Sequence, residues 1–360
     1  MKRTMESKYM QWAKSNFPSS FNLATSGVHA YPWKDLQIDC NELEITPSGP
    51  GYGYQPLQHT LATKCNVQPE NVVAATGTSM ANHLAMAALI EPGDEVLIEQ
   101  PTYDPILAVA GYLRAKVKRF PRRFENHFAI DPEEIRKNAS ASTRLIIITN
   151  FHNPSGVMTP LNVLTEVGKF ADEIGARVLV DEVYLETLFG APGSSSAFHI
   201  SDAFVTTSSL TKAYGLSGLR CGWILAEAKL AQKIWHLNDL FAATAAHTAE
   251  RLSVLALQKL PQIANRAKSL LEKNRELLKS FLADQSSLDA VLPEAGTIIF
   301  PRLKSGNADR FCTFLAERYQ TRVVPGSFFE MPQYFRLGIG SPSDIVSEGL
   351  NRLKEALANF

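Results

Sequence analysis

Short apolar runs alternate with segments of helical periodicity between about residues 71 and 226. The run at residues 145–149 is apolar at nearly every position, and residues 177–180 form a second such run. Strands that are apolar on both faces are typical of parallel sheets covered by helices, because neither face meets water. The pattern therefore predicts an α/β fold in which a mostly parallel sheet is sandwiched by helices.

The rest of the chain has a different pattern. Helices dominate from about residue 228, and short strand-like runs mix with helices after residue 285. A chain of 360 residues is long enough for a large α/β domain and a smaller companion. We therefore predict an N-terminal segment (1–50) that joins the small domain, a large domain (51–245) and a small α+β domain (246–360).

Charge and cysteine usage exclude several function classes. The chain has 36 basic and 36 acidic residues, so neither a nucleic acid nor an anionic membrane is indicated as a partner. No apolar run approaches the ~20 residues of a membrane span, and no apolar core follows the basic N-terminal residues. Metal-type spacing is absent from the four cysteines, which are Cys40, Cys65, Cys221 and Cys312. These features predict a cytoplasmic protein with reduced thiols and without a metal site.

Polar and aromatic residues follow the predicted strands directly. Ligands of such sheets bind in loops beyond the carboxyl ends of the strands. The residues at these positions are Gly77, Thr78, Ser79, Tyr103, Asn153, Asp181 and Tyr184. The first three could hold a phosphate at a helix N-terminus or merely cap the helix. Asp181 at the end of a buried strand needs a partner, such as a protonated ring nitrogen, although it could also cap the next turn.

One lysine lies in a turn, rich in hydroxyls and glycines, between two apolar runs. Lys212 stands within residues 208–223, and Arg220 follows it by eight residues. A lysine amine can form a Schiff base with an aldehyde cofactor and can then move protons. The arginine could bind a phosphate through its planar fork of donors. The alternative is that Lys212 is a solvated loop lysine. Only its combination with the polar residues at the other strand ends favours a cofactor site.

This turn resembles a known motif. Ser209-Leu210-Thr211-Lys212-x-x-Gly215-Leu216-x-Gly218-x-Arg220-x-Gly222 is similar to the lysine signature of fold-type I aminotransferases of classes I and II, which depend on pyridoxal 5'-phosphate. Cys221 departs from that signature, where a small aliphatic residue is usual. The resemblance spans roughly residues 50 to 340. It implies the fold-type I architecture, with a sheet of the seven-stranded type.

The resemblance also implies roles for the strand-end residues. Lys212 would carry the cofactor as a Schiff base and shuttle the proton, while Asp181 would pair with the pyridine nitrogen. Tyr184 and Asn153 would bind the ring oxygen, and Tyr103 would stack on the ring. The phosphate would be held by Gly77, Thr78, Ser79, Ser209, Thr211 and Arg220.

Further roles follow from the same resemblance. Tyr52 would reach the phosphate of a neighbouring subunit in a homodimer with shared active sites, although Tyr54 competes for this role. Arg336 would bind the substrate carboxylate as a bidentate pair. Gly27 would line the substrate pocket with its backbone. His247 lies where a neighbouring subunit often contributes to the site, and an ordinary helix residue is the alternative.

The resulting functional prediction is amino-group transfer between an L-amino acid and a 2-oxo acid. The same residues would also serve a lyase, a decarboxylase or a cyclising biosynthetic enzyme, because the cofactor supports all of these reactions. The effector domain of a transcription regulator is the non-enzymatic alternative, but we expect no DNA-binding module before residue 50. Residues 237–249 contain no arginine, which disfavours specialisation for dicarboxylic amino acids.

Overall fold

The computed structural model describes residues 3–15, 19–39, 42–43, 45–46, 51–191 and 193–360. Cys40 therefore lies outside the described residues. The helices are α1 (Lys8–Lys14), α2 (Trp33–Leu36), α3 (Gln55–Cys65), α4 (Gly77–Leu89), α5 (Asp104–Tyr112), α6 (Pro132–Asn138), α7 (Leu161–Ile174), α8 (Thr211–Tyr214), α9 (Ala228–Asp239), α10 (His247–Gln258), α11 (Leu260–Ala283), α12 (Ala308–Tyr319) and α13 (Ser343–Asn359). Within these ranges, none of the helices combines the length and the apolarity that crossing a bilayer requires.

The strands fall into one large sheet and several small ones. They are β1 (Phe21–Asn22), β2 (Val72–Thr76), β3 (Glu95–Gln100), β4 (Lys116–Pro121), β5 (Thr143–Thr149), β6 (Arg177–Asp181), β7 (Phe204–Ser209), β8 (Cys221–Leu225), β9 (Leu288–Asp289), β10 (Ile298–Ile299), β11 (Arg302–Leu303), β12 (Thr321–Arg322), β13 (Val324–Pro325) and β14 (Phe335–Gly338). The large sheet has seven strands in the order β2-β8-β7-β6-β5-β3-β4. Only β8 runs antiparallel to its neighbours in this sheet. The predicted α/β fold with a mostly parallel sheet is therefore confirmed.

Both faces of the large sheet are covered, as the apolar runs predicted. On β5, Leu145 and Ile147 face a core that also contains residues of α4, α5 and α9. Ile146 and Ile148 face the opposite core, against α7. Because successive residues of a strand point to opposite faces, an unbroken apolar run is needed to fill both cores.

The C-terminal part of the chain forms small sheets packed with three helices. Strands β10, β14 and β13 pair in that order, and helices α11, α12 and α13 share an apolar core with Leu23 and Val28 from the N-terminal segment. Strand β1 pairs with β12 in parallel, placing Phe21 beside Thr321. The N-terminal segment thus packs on the C-terminal part of the chain. The domain boundaries at residues 50 and 245 stay predictions.

Candidate active site

A cavity of about 210 Å³ lies at the carboxyl ends of β5, β6 and β7. Ten of the predicted site residues line it, and they are Thr78, Ser79, Tyr103, Asn153, Asp181, Tyr184, Ser209, Thr211, Lys212 and Arg220. The crossovers of a parallel sheet bring these strand ends to one edge, which is why residues far apart in sequence meet there. A larger cavity of about 480 Å³, lined by Glu182 and Ser208 among others, contains none of the predicted residues.

Lys212 lies on α8, directly after β7, and is held from two sides. Its Nζ donates to the Ser26 hydroxyl at 2.9 Å, and its carbonyl accepts from the Val28 backbone N–H at 2.7 Å. Burial, with a further contribution from the positive charge of Arg336, lowers the pKa of Lys212 to about 8. At pH 7 a lysine with this pKa is roughly one-tenth neutral, reactive amine, some hundreds of times more than an ordinary exposed lysine.

Asp181 ends β6 and accepts two hydrogen bonds inside the protein. Asn82 Nδ2 donates to its Oδ2 at 2.8 Å, and the Val183 backbone N–H donates to its Oδ1 at 3.1 Å. Asn82 in turn accepts from the Thr207 hydroxyl at 2.6 Å. Burial raises the pKa of Asp181 to about 6. A buried carboxylate with only neutral donors around it is suited to a cationic ligand group.

No sequence pattern indicated Asn82 as a site residue. Its position carries a signal in retrospect, because Asn82 follows Ser79 by three residues and therefore lies on the same side of α4, one turn further in. Ser26 was also missed. That serine directly precedes Gly27, which the resemblance had placed at the substrate pocket, and this was the one signal available for it.

The N-terminus of α4 and Arg220 form a concave polar surface. Gly77 has a φ of +75°, and a Cβ built on it would lie 2.8 Å from Arg220 Cζ. Arg220 Nη2 donates to the Thr76 carbonyl at 3.2 Å. Thr78 Oγ1 is buried and has no hydrogen-bond partner within the described residues. Helix N–H groups, an unpaired hydroxyl and a guanidinium around one space match the donors that a phosphate requires.

Arg336 on β14 is completely buried and does not line the cavity wall. Its Nη1 donates to Asn153 Oδ1 at 2.9 Å, and its Nη2 donates to the Tyr9 hydroxyl at 2.8 Å and to the Ala24 carbonyl at 3.2 Å. Its Nε has no partner in the described part of the chain, and no carboxylate there forms an ion pair with it. A buried cation that has only neutral acceptors is suited to an anionic ligand.

Gly27, Tyr184 and Tyr103 surround Lys212 and the cavity. A Cβ on Gly27 would lie 3.2 Å from both Cα and Cδ of Lys212, so a larger residue there would require Lys212 to shift by a few tenths of an ångström. Burial raises the pKa of Tyr184 to about 12, and its side chain hydrogen-bonds Ser26. Burial also raises the pKa of Tyr103, which meets Tyr9 edge-on at 5.5 Å between ring centroids.

Tyr52, Tyr54 and His247 lie away from this cavity. Tyr52 is 47% exposed, and its ring centroid lies 5.3 Å from that of His236. Tyr54 meets His247 edge-on at 4.8 Å. None of the three lines the cavity of a single chain, so the predicted contact of Tyr52 with a neighbouring subunit stays a prediction.

Related proteins match this chain over most of its length. Residues 41–353 match the family described as aminotransferase class I and II. The chain is 29% identical over 352 residues to capreomycidine synthase of Streptomyces vinaceus, covering 95% of this chain and 90% of that protein. It is 27% identical over 333 residues to a probable aspartate/prephenate aminotransferase of Aquifex aeolicus, covering 87% of this chain and 84% of the relative.

A solved structure has the same fold. The crystal structure of a PLP-dependent aminotransferase from Streptococcus suis superposes with a TM-score of 0.93 at 24% identity, covering 100% of this chain and 99% of that one. The family match and this likeness confirm the resemblance found in the lysine motif and identify pyridoxal 5'-phosphate as the cofactor. The chain belongs to the class I and II aminotransferase family.

Proposed function

We propose that this protein transfers an amino group between an L-amino acid and a 2-oxo acid, with pyridoxal 5'-phosphate attached to Lys212. The observation that carries the proposal is the buried Lys212 amine, which shares one cavity with the Asp181 carboxylate and the Arg220 guanidinium. These three groups are a nucleophile, a partner for a ring nitrogen and a partner for a phosphate. The aminotransferase relatives support the same reaction.

The residues present fit the cofactor. Thr78, Ser79, Ser209, Thr211 and Arg220 would hold the phosphate, with Gly77 allowing the guanidinium to approach. Asp181 would keep the ring nitrogen protonated, and its bond from Asn82 fixes the carboxylate for that role. Tyr184 and Asn153 would bind the ring oxygen, and Tyr103 would stack on the ring.

The proton chemistry belongs to Lys212. When bound, the cofactor supplies an aldehyde and an electron-withdrawing ring that stabilises negative charge at the substrate α-carbon. The neutral Lys212 amine, with its pKa lowered to about 8, would accept the proton from the α-carbon and would donate it to the cofactor carbon on the other side of the amino nitrogen. Ser26 holds the amine before the cofactor is attached, because its hydroxyl accepts from Nζ at 2.9 Å.

The substrate carboxylate would bind Arg336. The unpaired Nε–H and the absence of any ion pair to this guanidinium within the described residues support this assignment. Gly27 would leave room for the substrate beside Lys212. A planar arginine fork fixes the orientation of a carboxylate, which places the α-carbon relative to the base.

The proposal extends to assembly and location. A homodimer with shared active sites is typical of the family, and it gives Tyr52 its predicted role at the phosphate of the neighbouring subunit. Tyr52 is half-exposed and contacts His236 on α9, and the exposed side chains of Leu240 and Phe241 follow the same helix, which supports a covered surface there. We place the protein in the cytoplasm, since its cysteines follow no disulfide or metal spacing.

A biosynthetic reaction other than transamination is the second candidate. The relative from Streptomyces vinaceus is named a synthase and not an aminotransferase, and it aligns with 95% of this chain. The same Lys212 and Asp181 would serve either reaction, because the bond broken depends on how the substrate is oriented.

One experiment tests the cofactor site and a second separates the reactions. Borohydride reduction of the holoenzyme, followed by peptide mass spectrometry, should find the cofactor fixed on Lys212, and an unmodified Lys212 would refute the site. A single turnover with an amino donor should then give a 2-oxo acid and an equal amount of pyridoxamine phosphate. Release of product without the pyridoxamine form would support the second candidate instead.

A further inference from the structure

The buried guanidinium of Arg336 is covered by a helix from the other end of the chain. Tyr9 on α1 is 327 positions away in sequence, yet its hydroxyl accepts from Arg336 Nη2 at 2.8 Å. The guanidinium carbon also lies 5.4 Å from the ring centroid of Tyr9 and 5.2 Å from that of Phe329. Arg336 itself has no exposed surface, so a ligand from the cavity cannot reach it without displacing a neighbour.

The arrangement of the N–H donors of Arg336 shows which neighbour a carboxylate ligand must displace. The Nε–H and one Nη2–H of an arginine lie on the same edge, and this edge binds a carboxylate in the bidentate mode. In Arg336 the Nε–H is unpaired, while Nη2 bonds the Tyr9 hydroxyl and the Ala24 carbonyl. A carboxylate on this edge would take the free Nε–H and compete with Tyr9 for Nη2.

Helix α1 is docked by polar contacts and by the packing of Tyr9 and Trp12 on Phe328, all outside the large sheet. Ser7 donates to Asp104 at the start of α5. Arg322 donates to the Trp12 carbonyl at 2.7 Å and lies 4.1 Å from the Trp12 ring. Met10, the next residue after Tyr9, lines the cavity wall. A seven-residue helix attached in this way can shift without disturbing the central sheet.

We propose that Tyr9 occupies the carboxylate subsite of the free enzyme and that the substrate carboxylate displaces its hydroxyl from Arg336, moving α1. This inference rests on the proposed function, because it takes Arg336 as the carboxylate ligand. Tyr9 is thus a specificity residue that opposes binding. The Tyr9 hydroxyl accepts a hydrogen bond from Arg336 before a ligand arrives. Only a ligand that replaces this hydrogen bond stays bound.

The test uses the holoenzyme and 4-methylpentanoate, an unreactive carboxylate without an amino group, titrated by calorimetry. Tyr9→Phe keeps the ring but removes the competing hydroxyl, so the Kd should fall by roughly tenfold, as expected for a hydrogen bond to a charged group. Tyr334→Phe is the matched control, since Tyr334 lies in the same aromatic cluster but its hydroxyl pairs with Arg302. The control should leave the Kd unchanged.

A second measurement follows α1 directly. In the wild type, 4-methylpentanoate should speed backbone hydrogen exchange over residues 8–14, and Tyr9→Phe should show fast exchange before the ligand is added. A Kd that is unchanged or higher in Tyr9→Phe, or exchange that the ligand does not change in the wild type, would overturn the inference. Such a result leaves the proposed function standing if Lys212 carries the cofactor and Arg336→Gln abolishes binding. Lack of the cofactor on Lys212 would remove the proposed function itself.

Discussion

The proposed phosphate site depends on the absence of a side chain at Gly77, and this can be tested by Gly77→Ala. The added Cβ would lie 2.8 Å from Arg220 Cζ, whereas carbon atoms in contact are separated by ~3.5 Å. The guanidinium must therefore withdraw by about 0.7 Å at its carbon, and further at its tip. A charge-assisted hydrogen bond to the phosphate does not survive that shift.

The structure sets the magnitude of the expected loss. A hydrogen bond to a charged group contributes about 1.5–3 kcal/mol, which corresponds to roughly 10- to 150-fold in affinity. A non-glycine residue at the positive φ of Gly77 also costs about 1–2 kcal/mol of folding free energy. The two effects are separable, because Gly175 has a similar φ of +68° and a Cβ built there meets no described atom within 4 Å.

The assay compares two ligands and two variants. Pyridoxamine 5'-phosphate binds without a covalent bond to Lys212, and pyridoxamine lacks the phosphate, so the ratio of their Kd values isolates the phosphate contact. Gly77→Ala should reduce the preference for pyridoxamine 5'-phosphate over pyridoxamine by roughly 10- to 150-fold. Gly175→Ala should lose similar folding stability in a urea titration but keep the preference. Equal preference in the two variants would refute the role of the Gly77–Arg220 contact.

Three further predictions concern the same cavity. Attachment of the cofactor to the apoprotein requires a neutral Lys212, so the attachment rate in stopped-flow absorbance should rise with pH and level off above about 8. Arg336→Gln should move the midpoint of this pH profile upward, because the charge of Arg336 lowers the pKa of Lys212. An unmoved midpoint would contradict this charge effect. Asn82→Ala removes a hydrogen-bond donor from Asp181, so the pKa of Asp181 should rise further above about 6. The affinity for pyridoxamine phosphate should fall by roughly tenfold in calorimetry. An unchanged affinity would contradict the role of the Asn82–Asp181 hydrogen bond. Thr78→Val removes a buried hydroxyl that has no hydrogen-bond partner within the described residues. The apoprotein should therefore become about 1 kcal/mol more stable in thermal unfolding, while its affinity for phosphate falls. A less stable apoprotein would contradict the assignment of Thr78 to the phosphate site.

The sequence predicted those parts of the site that lie on the large sheet. Residues 145–149 form an apolar run because both faces of the sheet are buried. This run located the strand whose carboxyl end leads to Asn153. Asp181 and Lys212 were found in the same way, as polar residues at the ends of apolar runs. Asn82 and Ser26 were missed, because a neutral residue on a helix or in an extended segment has no pattern of its own before its partner is known.

The same distinction explains why the cofactor was predictable and the substrate was not. The proposed cofactor contacts come from strand ends and helix N-termini of one rigid sheet, where local sequence determines which way a side chain points. The proposed carboxylate site is Arg336 on β14, which Tyr9 from α1 covers, and these two elements are joined only by tertiary contacts. Met10 on the same helix lines the cavity. Substitutions in α1 should therefore change which amino acid is accepted while leaving cofactor affinity unchanged, whereas substitutions at the strand ends should do the reverse.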